Sequence, residues 1–226
     1  MVTEKNHTVR DEKETGRIEA FSDGVFAIAI TLLVLDIKVP HFNDLAQNAG
    51  LLDTLVRQWP AYTAFFISFS TILIMWVSHH RLFNYIKRSD DTFLFLNGAV
   101  LLLVTFIPFP TALLSEYIKY QYANVAAAIY SGTYLAIAAL FNLLWWYASK
   151  KGRLLDRNAD LCLVDNISKQ YILAPPLYAI AFALAFIHPA ACIAMCFVLV
   201  IFFAFTGKIS RILPCEIPGR ENFGGK

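Results

Sequence analysis

The chain has 226 residues, of which 58% are hydrophobic and only 16% are charged. Soluble domains carry about 25% charged and about 45–50% apolar residues, so this composition excludes an ordinary soluble protein and predicts one solvated mainly by lipid. The formal net charge of +2 gives no basis for a nucleic-acid partner. Residues 1–17 mix acidic with basic side chains, and no small-residue cleavage site follows the first apolar run. We therefore expect a cytoplasmic arm there rather than a signal peptide.

Six apolar runs follow one another along the chain, each with roughly the 20 residues that a membrane-spanning helix needs. They are too long for barrel strands of about 9–11 residues, and none alternates polar with apolar side chains. We predict an all-α integral membrane protein with six transmembrane helices between residues 18 and 207, flanked by the arm 1–17 and a tail 208–226. The predicted spans are residues 18–39, 59–83, 92–115, 123–148, 170–188 and 190–207.

Basic residues are distributed unevenly between alternate loops of this topology. Of the 19 lysines and arginines, only Lys38, Arg57 and Lys119 fall in the loops or at the span ends on one side. All others fall in the N-terminal segment, in or beside the second-to-third loop, in the fourth-to-fifth loop or in the C-terminal tail. The positive-inside rule therefore predicts that both termini are cytoplasmic.

The first predicted span carries several polar groups in its cytoplasmic third, among them Glu19 and Asp23. An ionisable group that faces lipid is costly, so these side chains are expected to face protein or a hydrated pocket. Two histidines near the cytoplasmic end of the second span, His79 and His80, are candidate partners of Asp23. As neighbours on a helix they point about 100° apart, which makes them a poor metal pair. We predict a structural or gating polar cluster that comprises Arg17, Ser22, Asp23, Trp76, His79 and Asn97.

Two stripes run along the same helix. Small residues let helix backbones approach closely in membranes, so the small stripe is expected to pack against another helix. The bulky apolar seam is expected to contact lipid or a helix, or else to line a narrow pore that gates by dewetting. The seam comprises Ile18, Phe21, Val25, Ile28, Leu32, Leu35 and Val39, and the small stripe Ala20, Gly24, Ala27 and Thr31.

Prolines interrupt two of the later spans. Pro108 and Pro110 lie in the third span, and Pro175 and Pro176 in the fifth, where each removes a backbone donor and is expected to kink its helix. The fifth and sixth spans are separated only by the sequence around His188, which predicts a tight antiparallel hairpin on the outer side.

The run from Arg17 to Leu35, with Phe21-Ser22-Asp23 at its centre, closely resembles the signature of the transmembrane protein 175 family. This family comprises endosomal and lysosomal potassium channels and their bacterial relatives. Trp76 and His79 are similar to family positions, and six spans with cytoplasmic ends also match. The strong resemblance covers the first helix, and the remainder matches by topology.

The resemblance implies a potassium-selective cation channel whose pore is lined by the first helix of each subunit, without a TVGYG filter. It implies that Ile28 forms the narrowest apolar ring, with Leu32 and Leu35 as further apolar pore residues. It implies that Thr31 contributes to ion coordination and selectivity. A single repeat implies a homotetramer of the bacterial type in a prokaryotic plasma membrane, with potassium ions and the bilayer as its partners.

Two other functions remain open at this level. An ion- or proton-coupled secondary transporter would use Asp23 and His79 as titrating groups, although the sequence shows no inverted repeat and no broken helices in matching halves. A membrane enzyme would need positioned acid, base or nucleophile groups, and the sequence has no HExxH, GxSxG or nucleotide-binding loop. We therefore expect no enzymatic activity, no cofactor and no metal other than the permeant potassium ion.

Overall fold

A computed structural model of the chain describes residues 2–41, 50–156 and 159–209, so the predicted tail lies outside the described residues from position 210 onward. Within these ranges helices account for the regular structure, and the β pairing is one isolated bridge between Ile86 and Leu155. The α-helices are α1 Val2–Leu32, α2 Leu51–Arg57, α3 Trp59–Tyr85, α4 Asp91–Phe106, α5 Pro108–Tyr117, α6 Ala123–Ser149, α7 Leu161–Ile187 and α8 Pro189–Ile209, and short 3₁₀ turns cover Leu33–Asp36 and Lys150–Gly152.

Five helical segments of the described chain are long and apolar enough to cross a membrane. This architecture is that of a helical integral membrane protein. The sixth predicted span corresponds to α8, Pro189–Ile209. The sixth crossing and the cytoplasmic position of the termini stay predictions. The five segments are Thr15–Asp36, Trp59–Tyr85, Asp91–Tyr117, Ala123–Gly152 and Cys162–Ile187.

Two helices begin earlier than their hydropathy predicts. α1 starts at Val2 rather than near residue 18, so the predicted arm continues the first span as a helix. α7 starts at Leu161 rather than near residue 170, where the Asp160 carboxylate accepts a hydrogen bond from the backbone N–H of Cys162. Hydropathy marks where a helix enters hydrocarbon, whereas capping and backbone hydrogen bonding decide where it begins.

The two proline pairs have different effects. In the third span α4 ends at Phe106 and α5 begins at Pro108, which confirms the predicted interruption. A proline is tolerated at the start of a helix because that position has no intrahelical acceptor for an N–H. In the fifth span α7 continues through Pro175 and Pro176 as one assigned helix.

Contacts between loops agree with spans that run in alternating directions. The Arg88 guanidinium, in the second-to-third loop, donates hydrogen bonds of 3.1 and 3.2 Å to the carbonyl oxygens of Gly152 and Leu155 in the fourth-to-fifth loop. Lys38 of the first-to-second loop forms an ion pair of 3.4 Å with Glu116 at the end of the third span. In both cases the contact joins segments that are predicted to lie on the same side of the membrane.

α6 is the central helix and α1 a peripheral one. α6 packs against α4, α5, α7 and α8, whereas α1 packs against α3 and α4. In the most apolar part of the α6 segment 56% of the residues are buried, compared with 22% in the most apolar part of the α1 segment. α7 and α8 form the predicted hairpin, in which the Nδ1 atom of His188 accepts a hydrogen bond of 3.2 Å from the backbone N–H of Ala190. The first helix therefore presents most of its surface away from its own chain, as does α7, in whose most apolar part 17% of the residues are buried.

Candidate functional site

One narrow face of α1 attaches it to the rest of the chain. Ser22, Phe26, Ala29 and Leu33 are buried to at least 99% and recur at steps of four, three and four residues, which places them on one side of the helix. They face α3 and α4. This stripe is neither the bulky seam nor the small stripe predicted from the sequence. Within the described chain the small residues are exposed, so their close packing against a helix stays a prediction.

A buried chain of hydrogen bonds links α1, α4 and α3. The Ser22 hydroxyl donates to the carbonyl oxygen of Ile18 at 2.8 Å, and the Asn97 amide nitrogen donates to Ser22 Oγ at 3.1 Å. The Asn97 side-chain oxygen lies 2.8 Å from His79 Nε2. Because the oxygen can only accept, His79 carries its proton on Nε2. Three of the predicted cluster residues thus form one network with a fixed donor direction.

The His79 ring is enclosed by aromatic side chains. Its centroid lies 5.3 Å from that of Phe26, 4.8 Å from that of Phe83 and 6.2 Å from that of Phe141. Its Nδ1 atom is buried and has no hydrogen-bond partner among the described residues. These surroundings suit a neutral imidazole that packs as an aromatic ring while its Nε2–H donates a hydrogen bond to the Asn97 side-chain oxygen.

A second polar cluster lies at the surface where α1 meets α3. The Trp76 indole N–H donates a hydrogen bond of 2.8 Å to Asp23 Oδ1, and His80 Nδ1 lies 2.8 Å from Glu19 Oε1. The Trp76 and His80 rings stack with their centroids 6.1 Å apart. Asp23 is therefore held by Trp76 rather than by a histidine. The pairing of His80 with Glu19 was not predicted, although Glu19 and Asp23 on α1 and Trp76 and His80 on α3 each lie four residues apart, on one face of their helix.

Arg17 lies apart from both clusters. It lines a cleft between α1 and α4 of about 540 Å³, together with Phe21, Asp90, Asp91 and Asn97. The two carboxylates at the start of α4 complement the charge of the guanidinium. The cleft is open, so Arg17 remains on the surface of the described chain.

The opposite face of α1 is left uncovered by the chain. The exposed fractions of the Ile28, Leu32 and Leu35 side chains are 58%, 41% and 72%. A Cβ atom added at Gly24 would meet nothing within 4 Å, so the small stripe also faces open space. The small stripe and part of the seam therefore share one exposed face, whereas Ile18 and Val25 of the seam are partly buried against the core. The exposed face carries Ala20, Gly24, Ala27, Ile28, Thr31, Leu32 and Leu35.

Comparison with known proteins agrees with these features. Residues 17–108 match the family described as endosomal/lysosomal potassium channel TMEM175. The matched segment begins at Arg17, includes both polar clusters, and ends at Pro108 at the break in the third span.

Three similar proteins extend the match along the chain. A protein of Chamaesiphon minutus named as a potassium channel is 55% identical over 194 residues, which cover 86% of this chain and 95% of that protein. The solved structure of a lysosomal potassium-selective channel TMEM175 homolog from Chamaesiphon minutus has a TM-score of 0.79 at 52% identity and covers 86% of this chain and 98% of that one. The endosomal/lysosomal proton channel TMEM175 of Gallus gallus is 35% identical over 135 residues, or 58% of this chain and 27% of that protein. This chain belongs to the TMEM175 family.

Proposed function

We propose that the chain is one subunit of a potassium-selective cation channel whose pore is lined by α1. The observation that carries the proposal is the division of α1 into two faces. Its buried face is packed against α3 and α4, while its other face leaves Ile28 and Leu35 more than half exposed. Similar proteins are named as potassium channels. Membership of the family supports the general channel function. The uncovered face of α1 supplies the residues that we propose to line the pore.

The uncovered face has the chemistry of a hydrophobic constriction. When several subunits surround one axis, Ile28 of each subunit forms an apolar ring, with Leu32 and Leu35 on the outer side of it. Narrow apolar rings gate by dewetting, because water is expelled before the walls touch. Thr31 is the polar group on this face, so its hydroxyl oxygen is the proposed ligand for a partly dehydrated potassium ion.

We propose a homotetramer, because one α1 cannot enclose a pore. The small residues Ala20, Gly24 and Ala27 flank the apolar pore residues on the uncovered face and permit close approach of a neighbouring helix. Closed rotational symmetry is the usual arrangement of such assemblies. In this proposal α8 completes six spans, both termini are cytoplasmic, and the protein is a multi-pass protein of a prokaryotic plasma membrane.

The polar network on the buried face holds the pore helix in place. Unpaired polar groups are costly in a low-dielectric interior, so the link between Ser22, Asn97 and His79 favours one arrangement of α1. We assign a structural and gating role to this network, to Asp23 with Trp76, and to Arg17. In this proposal potassium ions do not contact these polar side chains during conduction.

A coupled transporter using Asp23 and His79 receives less support. The two side chains belong to different clusters, since Asp23 accepts from Trp76 and His79 bonds Asn97. The aromatic enclosure of His79 leaves its ring without a described polar route to Asp23. An enzymatic role is likewise not favoured, because the family and its similar members are channels.

Reconstitution in liposomes tests the channel proposal. Vesicles loaded with potassium and diluted into sodium medium should release potassium down its gradient without ATP once a protonophore is added to carry the compensating charge. Sodium-loaded vesicles should release their cation much more slowly. Potassium release that saturates and is equally fast without the protonophore would instead identify a proton-coupled exchanger, and vesicles without protein provide the background.

A further inference from the structure

We propose that Glu19, Asp23 and His80 form a binding site for a first-row transition-metal dication of the zinc class, at the surface where α1 meets α3. One potential ligand atom from each of the three side chains lies within 4.8 Å of the other two. The ligand set, one imidazole nitrogen and two carboxylate oxygens, is of the kind that such cations use. This site is separate from the uncovered pore face and from the buried His79 network.

The packing of α1 against α3 places Glu19 and Asp23 beside His80. Glu19 and Asp23 lie one turn apart on α1, and His80 faces them from α3 with its Nδ1 atom 2.8 Å from Glu19 Oε1. Zinc bonds to nitrogen and oxygen are about 2.0–2.2 Å, so ligand atoms on one ion lie about 3.3–3.6 Å apart. Small side-chain rotations therefore suffice to convert the present cluster into three ligands of one ion.

Trp76 supports two of the three ligands. Its indole N–H donates to Asp23 Oδ1, which leaves Oδ2 free to bind a cation, and its ring stacks on His80. Outer groups that orient ligands in this way contribute strongly to metal affinity. A single residue of α3 thus fixes the orientation of a ligand on each helix.

Exposure and charge also fit a bound dication. The side chains of His80 and Glu19 are 54% and 26% exposed, so the rest of the described chain does not cover them and leaves room for water at the remaining position of an ion. Two ionised carboxylates balance the charge of a dication beside a neutral imidazole. Binding through Nδ1 requires the tautomer with its proton on Nε2, so the metal replaces the contact between His80 and Glu19. The imidazole favours zinc-class ions over magnesium and calcium, which take oxygen ligands.

A bound ion would connect the proposed pore helix to α3. Its effect on conduction rests on the proposed function, whereas binding itself does not. The test is therefore a binding measurement that needs no ion flux.

Isothermal titration of the tag-free full chain in detergent, after treatment with chelator, provides the test. We expect one Zn²⁺ per chain and no comparable binding of Mg²⁺. His80→Ala and Glu19→Gln should each weaken Zn²⁺ binding more than about tenfold, since even an outer-sphere partner is worth about 10–100-fold. His188→Ala is the matched control, because His188 is an exposed histidine at the α7–α8 connection and should leave affinity unchanged.

His80→Cys gives a positive readout, measured against both the parent chain and His188→Cys, because the four native cysteines can also bind Cd²⁺ when they are accessible. A thiolate prefers softer ions, so this variant should gain Cd²⁺ affinity over the parent chain and show thiolate-to-cadmium charge-transfer absorption. The proposal is overturned if the parent chain binds no Zn²⁺, if His80→Ala binds like the parent, or if His80→Cys shows no more cadmium absorption than His188→Cys.

Discussion

The Thr31 hydroxyl donates a hydrogen bond of 2.9 Å to the carbonyl oxygen of Ile28, three residues earlier in α1. The hydroxyl proton is thereby directed back along the helix, and the oxygen lone pairs are left for another partner. A cation is attracted by an oxygen and repelled by a hydroxyl proton, so this orientation suits the proposed coordination of potassium. Ile28 and Thr31 belong to different stripes of the sequence, yet both lie on the exposed face of α1.

Thr31→Val should reduce the preference for potassium over sodium. Valine keeps the shape of threonine but removes the oxygen, and a loss of about 1.4 kcal/mol corresponds to about a tenfold fall in the permeability ratio. Reversal potentials in planar bilayers under potassium and sodium gradients measure this ratio. Thr31→Ser keeps the hydroxyl and should retain selectivity. Equal ratios for the valine variant and the parent protein would remove Thr31 from the selectivity mechanism.

Ile28→Asn should raise conductance and weaken selectivity, because a polar ring stabilises water in the constriction. Single-channel recording measures both quantities. Ile180→Asn on α7 is the matched control, since Ile180 is 50% exposed compared with 58% for Ile28. If both variants change conduction equally, or neither does, Ile28 does not form the constriction.

Ala27→Leu should prevent the proposed tetramer from forming. The larger side chain projects from the uncovered face, where the small residues are proposed to meet a neighbouring subunit. Native mass spectrometry of the detergent-solubilised protein gives the number of subunits. Ala179→Leu places the same change on an exposed position of α7 and should leave the assembly intact. A tetramer of the Ala27→Leu variant with normal stability would contradict the proposed interface.

Asn97→Leu should destabilise the chain, because it leaves the buried His79 Nε2–H without an acceptor. An unsatisfied buried polar group costs about 1–3 kcal/mol, which should appear as a lower midpoint of thermal unfolding. The double variant Asn97→Leu/His79→Phe removes both partners and should recover part of the loss. Independent, additive effects of the two substitutions would show that the 2.8 Å contact carries little energy.

Asp23→Ala should impair assembly or gating, because the Trp76 indole N–H then loses its acceptor at the junction of α1 and α3. Subunit number by native mass spectrometry and open probability in bilayers report the two effects separately. Trp76→Phe removes the same hydrogen bond from the other side and should produce a similar defect. Normal tetramers with normal gating in both variants would show that the contact is dispensable.

Composition and hydropathy were sufficient to predict a helical membrane protein. Long apolar runs leave the helix as the backbone structure that satisfies its own hydrogen bonds in lipid, and this holds whatever the neighbouring residues are. The motif around Phe21-Ser22-Asp23 further indicated the family. The starts of α1 and α7 were missed because a helix continues beyond hydrocarbon when its polar residues are solvated.

The tertiary structure alone determined which side of each helix is buried and which side is exposed. The buried stripe of α1, the pairing of Asp23 with Trp76, and the link of His79 to Asn97 depend on the angle at which α3 and α4 cross it. Candidate partners of similar polarity lay at the same depth, and periodicity within one helix contains no information about the register of another. The sequence by itself therefore determined that α1 is chemically unusual, whereas packing determined that Ser22 faces inward, that Asp23 lies at the junction with α3, and that Ile28 and Thr31 face outward.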